Sequence, residues 1–89
     1  MRPPVYKLEL SPAALREARR IPPLLKSRID EALARLAENP RPPGTVKLRG
    51  MDGYRLRVGD YRVLYVVNDE AQHVLVWRVM ARSDVYRVR

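Results

Sequence analysis

The 89-residue chain has no cysteine and no phenylalanine, a single histidine, a single tryptophan and four glycines. Without cysteine there is no disulfide framework, no thiolate nucleophile and no cysteine-based zinc site. With His73 alone there is no histidine cluster either, so neither metal nor cofactor is expected and any chemistry must use other groups. Long apolar runs are also missing: the longest, such as 63–67, fall far short of the roughly 18 residues that a bilayer span requires. Met1-Arg2-Pro3-Pro4 leads directly into strand-like sequence, and a cytoplasmic protein with no membrane contact is expected. Internal repeats and low-complexity tracts are absent.

Acidic residues are scarce relative to basic ones. Eighteen bases against ten acids give a net charge of +8, and fifteen of those bases are arginine, the side chain that grips phosphate with two parallel hydrogen bonds and stacks on nucleobases. The excess is uneven. Residues 1–40 carry eight bases against five acids and 41–65 six against two; 66–77 carry two acids alone, and 78–89 four bases against one acid. A polyanionic partner is the expectation from charge. Apolar residues make up 46% of the chain, enough for one small core, and a chain of this length supports a single domain, 1–89.

Residues 5–10 alternate, with Tyr6, Leu8 and Leu10 on one side, as a half-buried strand does. Ser11-Pro12 is an N-cap followed by proline at the first helical position and predicts a helix over about 12–20, stopped by Pro22-Pro23. The same prolines open a second helix in which Leu25, Ile29, Leu33 and Leu36 form one apolar stripe as far as about Glu38. Asn39-Pro40-Arg41-Pro42-Pro43-Gly44 is a stiff loop. The sequence then turns to β: Tyr54 to Val58 alternates, Gly59-Asp60 is a hairpin turn, Tyr61 to Asn68 is rich in valine and tyrosine, and a last strand covers about 72–81. The predicted fold is α+β: an N-terminal strand, a helical hairpin and a three-stranded antiparallel meander, with the helices on one face of a four-stranded antiparallel sheet.

Alternation places Tyr54, Leu56 and Val58 on one face and Arg55 and Arg57 on the other; across the Gly59-Asp60 turn Arg57 faces Arg62. A three-residue turn at Asp69-Glu70-Ala71 would set Arg62 opposite Arg78 and bring Arg82 to the same side. An even turn at Glu70-Ala71 would send Arg78 and Arg82 to the helix side, a poor place for charge, so the odd turn is expected. Arg57, Arg62 and Arg78 then form a row of like charges that folding alone does not favour and an anion would relieve. By the same parity Tyr54, Tyr61, Tyr65 and Trp77 belong to the core.

Four segments in order, Lys47-Leu48-Arg49-Gly50, Gly53-Tyr54-Arg55-Leu56-Arg57, Gly59-Asp60-Tyr61-Arg62-Val63-Leu64-Tyr65 and Arg82-Ser83-Asp84-Val85-Tyr86-Arg87, resemble the core of the RelE/ParE superfamily of bacterial and archaeal toxins. The RelE branch consists of small basic ribonucleases that cut mRNA in the ribosomal A site without metal and are silenced by a cognate antitoxin; the ParE branch poisons DNA gyrase. The resemblance favours RelE, because basic residues occupy the family's active positions and a tyrosine lies near the C-terminus. It implies an mRNA endonuclease in which the 2′-hydroxyl attacks the adjacent phosphate. Arg55 and Arg57 stand where RelE has basic catalytic residues, commonly lysine; Arg62 and Arg82 match its phosphate-binding arginines and Tyr86 its catalytic tyrosine. Lys47, Arg49, Arg78 and Arg87 would contact RNA. The implied partners are an acidic RelB-like antitoxin and the ribosome with its mRNA and 16S rRNA. Two departures stand out: arginine is a poor general base, and Ala81 sits where many relatives carry histidine. A ParE-type gyrase inhibitor and a noncatalytic RNA-binding relative are the alternatives.

Overall fold

The computed structural model describes residues 5–82. Its elements run β1 (Lys7–Leu10), α1 (Pro12–Arg19), α2 (Pro23–Glu38), β2 (Thr45–Lys47), β3 (Tyr54–Val58), β4 (Tyr61–Asn68) and β5 (His73–Ala81). The α+β class and the element order are as the sequence predicts.

Ser11 caps α1 as expected: its extended backbone turns the side chain to accept the Ala14 N–H at 3.1 Å, and Pro12 follows in the first helical turn. The same hydroxyl donates to the Trp77 carbonyl at 2.9 Å, which ties the helix start to β5. Helix α2 buries Ile29, Leu33, Leu36 and Ala37, while Leu25 at the start of the stripe stays at the surface. Ala14, Ile21, Ile29, Leu33 and Leu36 pack onto Leu56, Val63, Tyr65, Val74, Val76 and Val79, so the core lies between the helical hairpin and one sheet face.

The sheet differs from expectation in two ways. It has five strands in the order β1-β5-β4-β3-β2, because Thr45–Lys47 pairs antiparallel with β3; three residues after a proline-rich loop are too few to show alternation in sequence. It is also mixed rather than antiparallel. β1 runs parallel to β5, Lys7 against His73 through Leu10 against Val76. A parallel pair needs a long crossover connection, and here the helical hairpin and the whole meander separate the two strands in sequence.

The β4–β5 register also differs. The connection is a four-residue turn, 69–72, in which Gln72 adopts φ 50°, and Asn68 pairs with His73. An even turn alone would have sent Arg78 to the core. A β-bulge prevents this: Tyr65 pairs with Val76 but Leu64 pairs with Arg78, which leaves Trp77 as the extra residue. Val74 and Val76 face the core before the bulge and Val79 faces it afterwards, so the irregular spacing of these buried valines marks the parity flip. Trp77 is accordingly half-buried at the bulge and not part of the core cluster, contrary to the parity argument. Tyr65 is fully buried as expected, and Tyr54 and Tyr61 are partly buried against the core.

Candidate nucleic-acid interface

The arginines gather at the end of the sheet where β3 turns into β4. Arg57 and Arg62 are direct cross-strand partners, as the sequence predicts. Arg62 does not meet Arg78, however, because the bulge places Met80 opposite Arg62 and Leu64 between Arg55 and Arg78. The expected row of three is therefore a pair, Arg57 and Arg62, set beside an apolar floor of Leu64 (2% exposed) and Met80 (8% exposed) on the face away from the helices.

Each arginine is positioned by a different device. Arg62 folds back over the hairpin turn, its Nη1 donating to the Gly59 and Tyr61 carbonyls at 3.1 and 2.9 Å. These bonds hold the guanidinium at the turn, beside Arg57. Arg82 is anchored there too, its backbone N–H donating to the Asp60 carbonyl at 2.7 Å. The fold thus brings Arg57, Arg62 and Arg82 to one turn, with Arg55 two residues along β3. Lys47 and Arg49 line a shallow groove of about 280 Å³ together with Val46, Leu48 and Arg55. Tyr86 and Arg87 lie outside the described residues.

Arg78 is the exception. Its Nε and Nη2 donate to Oε2 of Glu17 at 2.9 and 2.7 Å, and the other carboxylate oxygen of Glu17 accepts the Val79 N–H at 2.8 Å. β1 ends opposite Val76, so the N–H of Val79 faces α1 rather than a strand, and Glu17 supplies its acceptor. No local pattern in β5 signals this pairing with an acid 61 residues earlier.

The opposite end of the sheet carries a second polar cluster. Asp69 accepts a hydrogen bond from Tyr6 Oη at 2.7 Å and two from Arg41 at 3.2 and 2.8 Å; Arg41 Nε also donates to Tyr54 Oη and the guanidinium lies over the Tyr54 ring. The Arg41 hydrogen bonds, followed by that of Tyr6, hold the Asp69 carboxyl below the usual carboxylate range. The Asp69 acceptor pushes the Tyr6 phenol up, and burial pushes up Tyr65, whose hydroxyl donates to the Pro40 carbonyl at 2.7 Å. These contacts knit the 39–44 loop to the strands. His73 belongs to this end as well, with Nε2 2.7 Å from Glu9 Oε1, across the sheet from the arginines.

Sequence reasoning missed two further residues near Arg57. Arg28 and Arg35 of α2, seven apart and hence on one helix face, line a groove of about 380 Å³ with Arg57, floored by Ala32, Leu56 and Val58. Their helical spacing was the available signal; that this face meets the end of β3 was not legible.

Chemically, the guanidiniums of Arg57 and Arg62 beside the turn, with the Arg82 backbone anchored to it, can bind a phosphodiester and stabilise extra negative charge on it. They cannot accept a proton.

The family described as ParE toxin of type II toxin-antitoxin system, parDE, matches residues 8–86. The chain is similar to toxin RelG of Mycobacterium tuberculosis, 32% identical over 84 residues that cover 92% of this chain and 97% of the relative. The fold is similar to that of the isolated E. coli RelE toxin, with a TM-score of 0.75, 34% identity and 92% of each chain covered. It is also similar to a chain of the archaeal RelE–RelB complex from Pyrococcus horikoshii, with a TM-score of 0.79, 27% identity, and 88% of this chain and 96% of that chain covered.

Proposed function

Because this chain belongs to the RelE/ParE superfamily, on its RelE branch, and is a toxin of a type II toxin–antitoxin system, we propose that it is a ribosome-dependent mRNA endonuclease. The observation that supports this reading is the gathering of Arg57, Arg62 and the Arg82 backbone at the Gly59–Asp60 turn, with Arg55 two residues before Arg57 on β3.

Metal-free RNA scission by the 2′-hydroxyl has three requirements: a proton acceptor for that hydroxyl, stabilisation of a phosphorane, and protonation or tolerance of the departing 5′-oxygen. The arginines suit the second. Arg62 and Arg82 grip the scissile phosphate, Arg55 and Arg57 stabilise the charge that builds on it, and Tyr86 takes part in proton transfer or stacks on a base. Lys47, Arg49 and Arg87 hold the RNA around the site, while Arg78, expected to do the same, can contribute only by exchanging the Glu17 carboxylate for a phosphate. The product would be a 2′,3′-cyclic phosphate and a 5′-hydroxyl. The partners proposed are the ribosome with mRNA and 16S rRNA, in the cytoplasm, and a RelB-like antitoxin; the similar structure from P. horikoshii is itself that of a RelE–RelB complex.

Inducing the protein and mapping mRNA 5′ ends tests the reading. Codon-phased cuts in translated regions are expected, and intact mRNA defeats it. One observation favours a second reading, a ParE-type gyrase inhibitor: the matching family carries the ParE name. Trapped gyrase–DNA cleavage complexes with intact mRNA would favour that alternative.

A further inference from the structure

Helix α1 holds β5 at four consecutive residues. Ser11, at its N-cap, donates its backbone N–H to the Val76 carbonyl at 2.8 Å and its hydroxyl to the Trp77 carbonyl at 2.9 Å. Glu17, six residues on, takes the Arg78 guanidinium on Oε2 and the Val79 N–H on Oε1. The bulge at Trp77 lies inside this grip, and Ala14, buried between Ser11 and Glu17 in the chain, seats the helix in the core.

The grip falls where β5 is least supported by the sheet. β1 pairs with β5 only as far as Val76, so among the described residues the strand beyond it has β4 on one side and α1 on the other, and the bulge interrupts the ladder at the same point. A bulge bends its strand and sharpens the twist, so the direction of the residues after it depends on what braces it. Those residues lead to the arginine turn: Leu64 pairs with Arg78, Arg62 with Met80, and the Arg82 N–H carries the same register on to the Asp60 carbonyl at 2.7 Å. Burial of Val79 settles which face each side chain takes. It does not settle how closely the end of β5 follows β4, and the side chain bonded to both Arg78 and Val79 is Glu17, reaching from another element of the fold.

We propose that Glu17 is a positioning residue for the phosphate site: by standing in for a strand beside Val79 and clasping Arg78, it braces the bulged end of β5 and so sets the Arg82 backbone at the Gly59–Asp60 turn beside Arg57 and Arg62. Glu17 touches no RNA in this role. Its loss would let the end of β5 swing about the bulge and carry Arg82 away from a phosphate held by Arg62. A displacement of about 1 Å at such a site can cost about 10²-fold in rate. The consequence for cleavage rests on the nuclease reading; the placement of Arg82 does not.

Glu17→Ala and Glu17→Gln, each alone and combined with Arg82→Ala, test this. In the isolated full chain, amide NMR of Glu17→Ala should show a shifted Arg82 N–H that exchanges about tenfold faster, by more than any loss of global stability accounts for, while the Val63 and Tyr65 amides of β4 keep their wild-type shifts. Single-turnover cleavage by Glu17→Ala at saturating ribosomes should fall on the order of 10²-fold with ribosome binding retained. Glu17→Gln, whose amide oxygen can still accept the Val79 N–H, should recover most of the rate. In the Arg82→Ala background Glu17→Ala should cost little more, because it acts through Arg82. Thermal melts identify the folded variants; where Glu17→Ala melts below the assay temperature, Glu17→Asp, with a shorter reach, replaces it under the same expectations. An Arg82 amide with wild-type shift and exchange in the Glu17 variant, or a full further loss of rate on top of Arg82→Ala, overturns the proposal and leaves Glu17 a stabilising contact. Wild-type protein that leaves programmed mRNA intact sinks the nuclease reading alone, and the Arg82 amide then decides for Glu17 or against it.

Discussion

Glu17 and Arg78 form a half-buried pair that joins helix α1 to the bulged strand β5: one carboxylate oxygen takes two guanidinium N–H groups and the other takes the backbone N–H of Val79. The carboxylate therefore does two jobs at the point where β5 changes parity. It neutralises the arginine nearest the helix and closes a strand N–H left without a β1 partner.

Glu17→Ala leaves the Val79 N–H without its acceptor and removes the Glu17 carboxylate from Arg78, and should destabilise the fold by about 1–3 kcal/mol, the cost of leaving such a buried donor unsatisfied. Glu17→Gln keeps an oxygen acceptor for Val79 and should lose less. Urea unfolding of the three proteins checks this; equal stability would mean that the bulge is held by packing alone.

Arg62 is both a hairpin brace and the expected phosphate grip. In Arg62→Ala, loss of its bonds to the Gly59 and Tyr61 carbonyls opposes relief of repulsion from Arg57, so stability should change by no more than about 1 kcal/mol in either direction. Single-turnover cleavage on programmed ribosomes should fall on the order of 10²-fold or more. Arg62→Lys keeps the charge but not the planar fork and should restore ribosome binding with only part of the rate. A variant that melts several degrees lower yet cleaves normally would make Arg62 structural.

Asp69 should shape the acid limb of stability. Its carboxyl is held low in the folded state, mainly by the Arg41 hydrogen bonds, so the stabilisation is complete above the unfolded value near pH 4 and is lost as pH falls below it. Comparing melts of wild type and Asp69→Asn, the difference should be constant above about pH 5 and shrink toward pH 2. Tyr6 is shifted upward by the same contact, so its share is complete below about pH 10 and fades as pH rises past that. Parallel curves for the Asp69 pair would place the carboxylate outside the stabilising network.

Gly53 is confined by backbone. At φ 124° a Cβ there would lie 2.7 Å from the Tyr65 carbonyl oxygen and 3.2 Å from Val66 Cγ1. The carbonyl belongs to the central strand and cannot retreat, so Gly53→Ala should cost about 2 kcal/mol or more, whereas Gly50→Ala, at φ 72° in open space, should cost about 1 kcal/mol from conformation alone. Denaturant midpoints separate the two; equal losses would show that the loop relaxes freely.

The local elements were legible wherever one short-range signal decided them. Ser11-Pro12 starts α1, Pro22-Pro23 separates the helices, and Gly59-Asp60 sets Arg57 against Arg62, because capping, proline geometry and a two-residue turn act within a few residues. The motifs order Arg55, Arg57, Arg62 and Arg82 along the chain, and the fold sets Arg57 beside Arg62 at the turn to which the Arg82 backbone is bonded.

By itself, then, the sequence determined the class of fold, the inward and outward faces of β3 and β4, and an arginine-rich end, since side-chain periodicity is a property of the chain alone. Tertiary structure decided the rest. The parallel seat of β1 against β5, the bulge at Trp77, the capture of Arg78 by Glu17 and the meeting of Arg57 with Arg28 and Arg35 all join residues far apart in sequence. Each depends on which surfaces must be buried together and which backbone groups that burial leaves without partners, and these are settled only when the helices close over the sheet.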